Sequence, residues 1–146
     1  MKRILVIGAT GQIGSELMTH LRSIYGGDNV VAGYIEGVPV SDELRYGGPL
    51  EVADVTNAAQ IAAIVDKYHI DTVYNLAAIL SAQAEKKPLL AWNIQIGGVL
   101  NLLEIAREKG CAVFTPSSIG AFGASSPHVQ TPQETIQRPQ TIYGVS

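Results

Sequence analysis

The 146 residues carry a net charge of −3, with 47% hydrophobic and 16% charged residues, so one domain can bury a core without disulfides and a disordered chain is excluded. No stretch gathers Lys and Arg into a stripe, which argues against a nucleic-acid or anionic-membrane surface. The one cysteine, Cys111, excludes an internal disulfide and fits a reducing compartment; heading an apolar run, it reads as a small buried side chain.

Along the chain, Met1-Lys2-Arg3 resembles the start of a leader, but the apolar run Ile4–Ile7 is too short for one and ends in glycine. No apolar stretch reaches the about 18 residues of a membrane span, and the cytoplasm is the expected address. Residues 3–7 are nearly all apolar and β-branched, as in a strand buried on both faces of a parallel sheet. A helix follows over 12–25, with Ile13, Leu17, Leu21 and Ile24 at helical spacing, and Gly26-Gly27-Asp28 closes it. A second strand begins at Val30-Val31-Ala32, residues 36–49 read as a loop, and residues 50–54 as a short third strand. Thr56 or Asn57 caps a helix running to about Tyr68, and residues 72–76 make a fourth strand. Pro88 opens a long apolar-periodic helix to about Lys109, stopped by Gly110. Residues 111–114 form a fifth strand, and the remainder is mostly loop. Such alternation implies a Rossmann-type doubly wound α/β domain over residues 1–146, with a parallel sheet in the order 3-2-1-4-5.

Gly8-Ala9-Thr10-Gly11-Gln12-Ile13-Gly14 joins the first strand to the first helix in a G-x-x-G-x-x-G pattern. Gly8 permits a sharp turn, Gly11 lets backbone approach a pyrophosphate, and Gly14 lets the helix pack closely. The free amides and positive end of the helix then face the anion. An acid about 20 residues further on usually holds the adenosine ribose. Counting from Gly14 gives Tyr34 instead, with Glu36 near enough to substitute and no Arg beside it for a 2′-phosphate, which favours NAD over NADP. Asp54 reads equally as an adenine contact and as a capping residue. His20, His69 and His128 lack metal-ligand spacing and read as surface or helix-end residues, and Trp92 as a packing residue in the core or at a partner helix.

The glycine spacing, Asn75-Leu76-Ala77-Ala78, Pro116-Ser117-Ser118 and Tyr143 together resemble the extended short-chain dehydrogenase/reductases. Residues 78–88, 115–123 and 141–146 are similar to the NAD-dependent L-threonine 3-dehydrogenases of that superfamily, with sugar-nucleotide epimerases and a non-catalytic dinucleotide-binding module as the alternatives. The resemblance implies Tyr143 as general base and Ser118, 25 residues before it, as the hydrogen-bonding partner of the reacting oxygen. A free tyrosine titrates near about 10, so the family's lysine four residues after it supplies positive charge. The resemblance also implies that Ser81 touches an L-threonine substrate, and that Gly8, Thr10, Gly11, Gln12, Ile13, Gly14, Glu36, Asp54, Val55, Leu76, Ala77, Ala78 and Tyr143 line the NAD site.

Three positions depart from the family. Asn75 stands where many members have His, Gln95 where an Asn joins the proton relay, and Tyr34 where an acid holds the ribose. The lysine falls at the position after Ser146, so this chain alone is expected to be inactive, with its fifth strand an open edge. A homodimer is expected through the 88–109 helix, where Ile94, Gly97, Gly98, Leu102 and Ile105 lie on overlapping faces.

Overall fold

A computed structural model of the chain describes residues 2–146. Its five strands are β1 (Ile4–Ile7), β2 (Val30–Tyr34), β3 (Leu50–Val52), β4 (Thr72–Asn75) and β5 (Ala112–Phe114). They pair in parallel in the order β3-β2-β1-β4-β5, as the alternation of elements predicts. β1 is central: Ile4 stands opposite Val30 and Thr72, and Ile7 opposite Gly33 and Asn75. Residues 4–7 are buried throughout, which is why no polar alternation marks this strand in the sequence.

Two apolar layers flank the sheet. Leu5, Ile7, Val31 and Val73 pack with Ile61, Ile64 and Val65 of α3 (Ala58–Tyr68) and Leu102 and Ile105 of α6 (Gly98–Lys109). Ile4, Val6, Val30 and Ala32 point the other way, onto Met18 and Leu21 of α1 (Gln12–Tyr25) and Leu44 of α2 (Asp42–Tyr46). α1 ends at Gly26, whose φ of +89° suits glycine. Asn57 caps α3 by accepting from the Gln60 amide at 3.1 Å, and His69 ends that helix in the left-handed region.

Several expectations need correction. The buried stripe of α1 is Gly14, Met18 and Leu21, whereas Ile13 and Ile24 are exposed. The face is set by how closely Gly14 fits the preceding turn, which periodicity alone does not register. The segment 36–49 is not all loop: Ser41 caps α2 by accepting from the Leu44 amide, and Leu44 is buried. A short helix, α4 (Ser81–Lys86), follows β4, and α7 (Ile142–Val145) carries Tyr143.

The long helix is helical from end to end but not uniform. α5 (Pro88–Trp92) passes into a wider π-type turn at Asn93–Gly97 and then into α6. Together Pro88–Lys109 is long and apolar enough by length and composition to cross a membrane, although polar residues interrupt every apolar run in it. Gly98, Leu102 and Ile105 of this helix pack into the domain's own core, while most of the helix is not buried. These residues, with the partly buried Ile94, therefore do not form the surface expected for a homodimer. Outward instead lie Leu89, Leu90, Trp92, Leu100 and Leu103, so Trp92 is half-exposed rather than a core residue.

Candidate active site

The site gathers at the carboxyl ends of the strands, where β1 lies between β2 and β4 and the chain order reverses. Gly8 leaves β1 with φ of +82°. Its amide and that of Ala9 both donate to the carbonyl of Gly33 at the end of β2, at 3.1 and 2.9 Å. A Cβ on Gly8 would stand 2.9 Å from the Leu76 carbonyl carbon, so the turn passes directly beside the segment leaving β4. A Cβ on Gly14 would overlap the Gly8 carbonyl oxygen. At Gly11 the nearest atom to such a carbon is the Gly8 oxygen at 3.3 Å, and nothing else comes within 4 Å. Gly8 and Gly14 are thus glycines for the protein's own packing, and Gly11 is the one that keeps a face open. The first-turn amides of α1, at Gln12, Ile13 and Gly14, have no protein acceptor among the described residues. Bare amides at a positive helix end beside an open backbone face fit a dinucleotide diphosphate.

Past β2, Tyr34 is half-buried and Glu36 is exposed in a turn that the Val38 amide closes on the Ile35 carbonyl, at 3.1 Å. Asp54 follows β3, and its Oδ1 accepts from the Thr56 amide at 2.9 Å and from the Thr56 hydroxyl at 2.7 Å. Of the two readings of Asp54, the turn residue is realised in these bonds. Val55 is buried; its carbonyl accepts from Asn101 Nδ2 at 3.0 Å, and a Cβ on Gly98 would lie 2.7 Å from its methyl groups. Asn101 carries no signal for this role in the sequence and Gly98 reads there as part of a dimer face; together they fasten this wall of the site to α6.

Beyond β4, the Leu76 amide donates to the Ile7 carbonyl at 2.9 Å, and buried Asn75 accepts from the Ala77 amide at 3.2 Å. Asn75 Nδ2 reaches Thr115 Oγ1 at 3.5 Å, linking the ends of β4 and β5. Ala78 is exposed, and so is Ser81, the first residue of α4, whose hydroxyl makes no hydrogen bond among the described residues.

Ser118 and Tyr143 come from distant elements to one turn. Ser118 Oγ accepts from the Gly120 amide at 3.1 Å, capping a short 3₁₀ turn at Ile119–Ala121. A Cβ on Gly120 would meet Tyr143 Cδ1 at 3.1 Å and Ser118 Oγ at 3.5 Å, so ring and hydroxyl converge on one point. Thr141 caps α7 by accepting from the Gly144 amide at 3.0 Å, and Glu85 of α4 accepts from the Tyr143 amide at 3.4 Å. Sequence reasoning assigned no role to Gly120, Gly144 or Glu85; the glycines stand inside the quoted motifs, but nothing in the spacing says what they pack against.

Gln95 lies in the π-type turn, and its Oε1 is buried without a hydrogen-bond partner among the described residues. No cluster of metal-ligating side chains occurs among the described residues, and His20, His69 and His128 are exposed. An open cavity of about 320 Å³ bordered by Pro127, Pro132, Glu134 and Arg138 contains none of the residues above.

A glycine turn of this kind in a doubly wound sheet defines the class of Rossmann-type dinucleotide-binding proteins. Residues 4–146 match the NAD dependent epimerase/dehydratase family, and the chain belongs to it; NAD is its cofactor. An uncharacterised epimerase/dehydratase of Staphylococcus haemolyticus is 53% identical over the whole chain, which covers 46% of that relative. Among solved structures, the L-threonine dehydrogenase of Clostridium difficile superposes with a TM-score of 0.93 at 51% identity, over 99% of this chain and 45% of that one. A holo form of a GalE-like L-threonine dehydrogenase from Cupriavidus necator superposes with a TM-score of 0.91 at 44% identity, over 98% and 46%. The chain thus spans about half the length of the relatives it matches.

Proposed function

We propose that residues 1–146 form the NAD-binding domain of an L-threonine 3-dehydrogenase, which oxidises L-threonine to 2-amino-3-oxobutyrate. The observation that carries the reading is the convergence of Ser118 Oγ and the Tyr143 ring on Gly120, in a chain 51% identical to the Clostridium difficile enzyme. Gly8 and Thr10 to Gly14 would hold the diphosphate, Asp54 and Val55 the adenine, and Leu76, Ala77, Ala78 and Tyr143 the nicotinamide end. When bound, NAD supplies the acceptor for the hydride that leaves the alcohol carbon. Tyr143 takes the hydroxyl proton of the substrate, and Ser118, whose cap leaves its own proton free to donate, orients the reacting oxygen. Ser81, exposed and with no hydrogen bond from its hydroxyl among the described residues, is the side chain offered to the amino acid. With NAD as redox partner, the cytoplasm is the compartment this reading implies.

The test is threonine-dependent reduction of NAD by this segment carried in a polypeptide of its relatives' length, with UDP-sugars as the competing substrates. Tyr143→Phe should lower kcat by about 100-fold or more with little change in the affinity for NAD. Turnover of a UDP-sugar with none of threonine would replace this reading with an epimerase.

A homodimer is proposed through the outward side of α5 and α6, on the exposed Leu89, Trp92, Leu100 and Leu103, because such apolar exposure along one helix marks an interface. A monomeric mass by sedimentation at micromolar concentration would exclude it.

A further inference from the structure

We infer that Tyr34 sets the choice of dinucleotide: it leaves the ribose position at the end of β2 without a carboxylate, so NADP is accepted alongside NAD. The inference rests on the seat proposed for the dinucleotide over α1, not on the threonine reaction.

The position of Tyr34 is tightly specified. The preceding residue, Gly33, takes the Gly8 and Ala9 amides on its carbonyl, which ties the end of β2 to the phosphate turn. The carbonyl of Tyr34 itself accepts from the Ala53 amide at 2.8 Å, and the residue pairs with Val52 in the sheet. By strand alternation Tyr34 shares the face of Val30 and Ala32, the face that α1 covers. A residue so placed is where NAD-specific domains hold the ribose hydroxyls with an acid, whose charge also repels a 2′-phosphate. Here a phenol offers one hydroxyl as donor and acceptor in place of a carboxylate.

Neither nearby acid takes over. Glu36 lies two residues beyond the strand, exposed, in a turn whose Gly37 has φ of +85°. Asp54 follows β3 rather than β2, and its Oδ1 is held by the Thr56 amide and hydroxyl. Nor does Arg22 supply a cation that would reverse the preference. The Arg22 guanidinium, between α1 and the 43–49 segment, is committed to the carbonyls of Val30, Glu43, Leu44 and Pro49 at 3.1–3.4 Å. The balance is therefore near parity rather than a switch to NADP.

The experiment is calorimetric binding of NAD and of NADP to the segment in a polypeptide of its relatives' length. The two dissociation constants should agree within about tenfold, because no like charge opposes the extra phosphate. Tyr34→Asp should move their ratio toward NAD by about 30-fold or more, chiefly by weakening NADP, while Glu36→Gln should change it less than about threefold. Discrimination against NADP beyond about 100-fold in the unaltered protein overturns the inference, and its loss in Glu36→Gln would give the role to Glu36. Binding of neither dinucleotide overturns the inference together with the seat over α1. Comparable binding of both, with no turnover of threonine, sustains the inference and removes the dehydrogenase reading alone.

Discussion

Gly144 rests against the carbonyl of Gly120: a Cβ on Gly144 would overlap that oxygen and stand 2.9 Å from the Cβ of Pro139. The contact seats α7 on the 3₁₀ turn that Ser118 caps, and so fixes how near the Tyr143 ring comes to the Ser118 hydroxyl. The two residues of the proposed chemistry are brought together by backbone packing at two glycines, not by a direct bond between their side chains.

Gly144→Ala should therefore unseat α7. An added carbon meeting backbone rather than a flexible side chain costs about 1–3 kcal/mol, read as a lower denaturant midpoint. Gly120→Ala differs in kind, since its Cβ meets the Tyr143 ring and the Ser118 hydroxyl. It should cost less stability and more turnover, because a shift of about 1 Å between reacting groups is worth about 100-fold in rate. Equal losses of stability in the two variants would show that backbone packing does not set the pair.

The glycine turn makes a second separation possible. Gly11 caps α1 with φ of −75° and ψ of 172°, a conformation open to serine, itself a favourable cap. Gly11→Ser should leave stability within about 0.5 kcal/mol while the new side chain enters the open face, raising the NAD dissociation constant by about tenfold or more. Gly14→Ala should do the reverse and destabilise by about 1–3 kcal/mol, since its Cβ would overlap the Gly8 oxygen and stand 2.8 Å from the Ala9 Cα. Chemical denaturation and calorimetry on both variants check the crossing pattern.

Much of this domain is legible in its sequence because the physics is local. The apolar run 4–7, glycines at both ends of α1 and Asn57 before α3 mark elements whose bounds depend on neighbours along the chain. The strand order follows from alternation and crossover handedness. Long-range contacts decided what was missed. α1 turns Met18 rather than Ile13 inward because Gly14 is drawn onto the turn. In the long helix both sides are apolar, so only packing on Val55 reveals that Gly98 and Leu102 face inward. α2 buries only Leu44, too little for a periodic signal, although Ser41 followed by Asp42 and Glu43 is a recognisable start. Ser118 and Tyr143 were identified by resemblance, and no local rule shows that Gly120 and Gly144 join them.

Cys111 should react slowly. Burial pushes its thiol above the ordinary value, the nearby Asp71 and Asp66 carboxylates add to this, and Lys109 opposes it only in part. The thiol also donates to the Ile70 carbonyl at 3.0 Å. Since the thiolate is the nucleophile, labelling by iodoacetamide at pH 7.5 should run at least about fivefold slower than for a free cysteine of pKa about 8.5. Labelling at the free-thiol rate in folded protein would contradict this packing.

Acid should loosen the join between β3 and α3. Glu51 Oε1 accepts from Lys67 Nζ and from the Tyr68 hydroxyl, both at 2.6 Å, and the Lys67 ammonium lies 4.9 Å from the Tyr68 ring centre. Burial alone would push the Glu51 carboxyl up, but the hydrogen bonds from Lys67 and Tyr68 and the charge of Lys67 outweigh it and hold the group below its ordinary value. A carboxyl depressed on folding contributes stability that is fully present above the unfolded value of about 4.3 and is lost as pH falls through the folded one. Lys67 shows the mirror effect, its ammonium held above the ordinary value first by the hydrogen bond to Glu51. The stability difference between the protein and Glu51→Gln should thus be level from about pH 6 to 8 and shrink below about pH 4. Urea denaturation of both proteins across that range measures it. A difference that stays constant from pH 7 down to about pH 3 would mean that the Glu51 carboxylate does not fasten the end of α3 to the sheet.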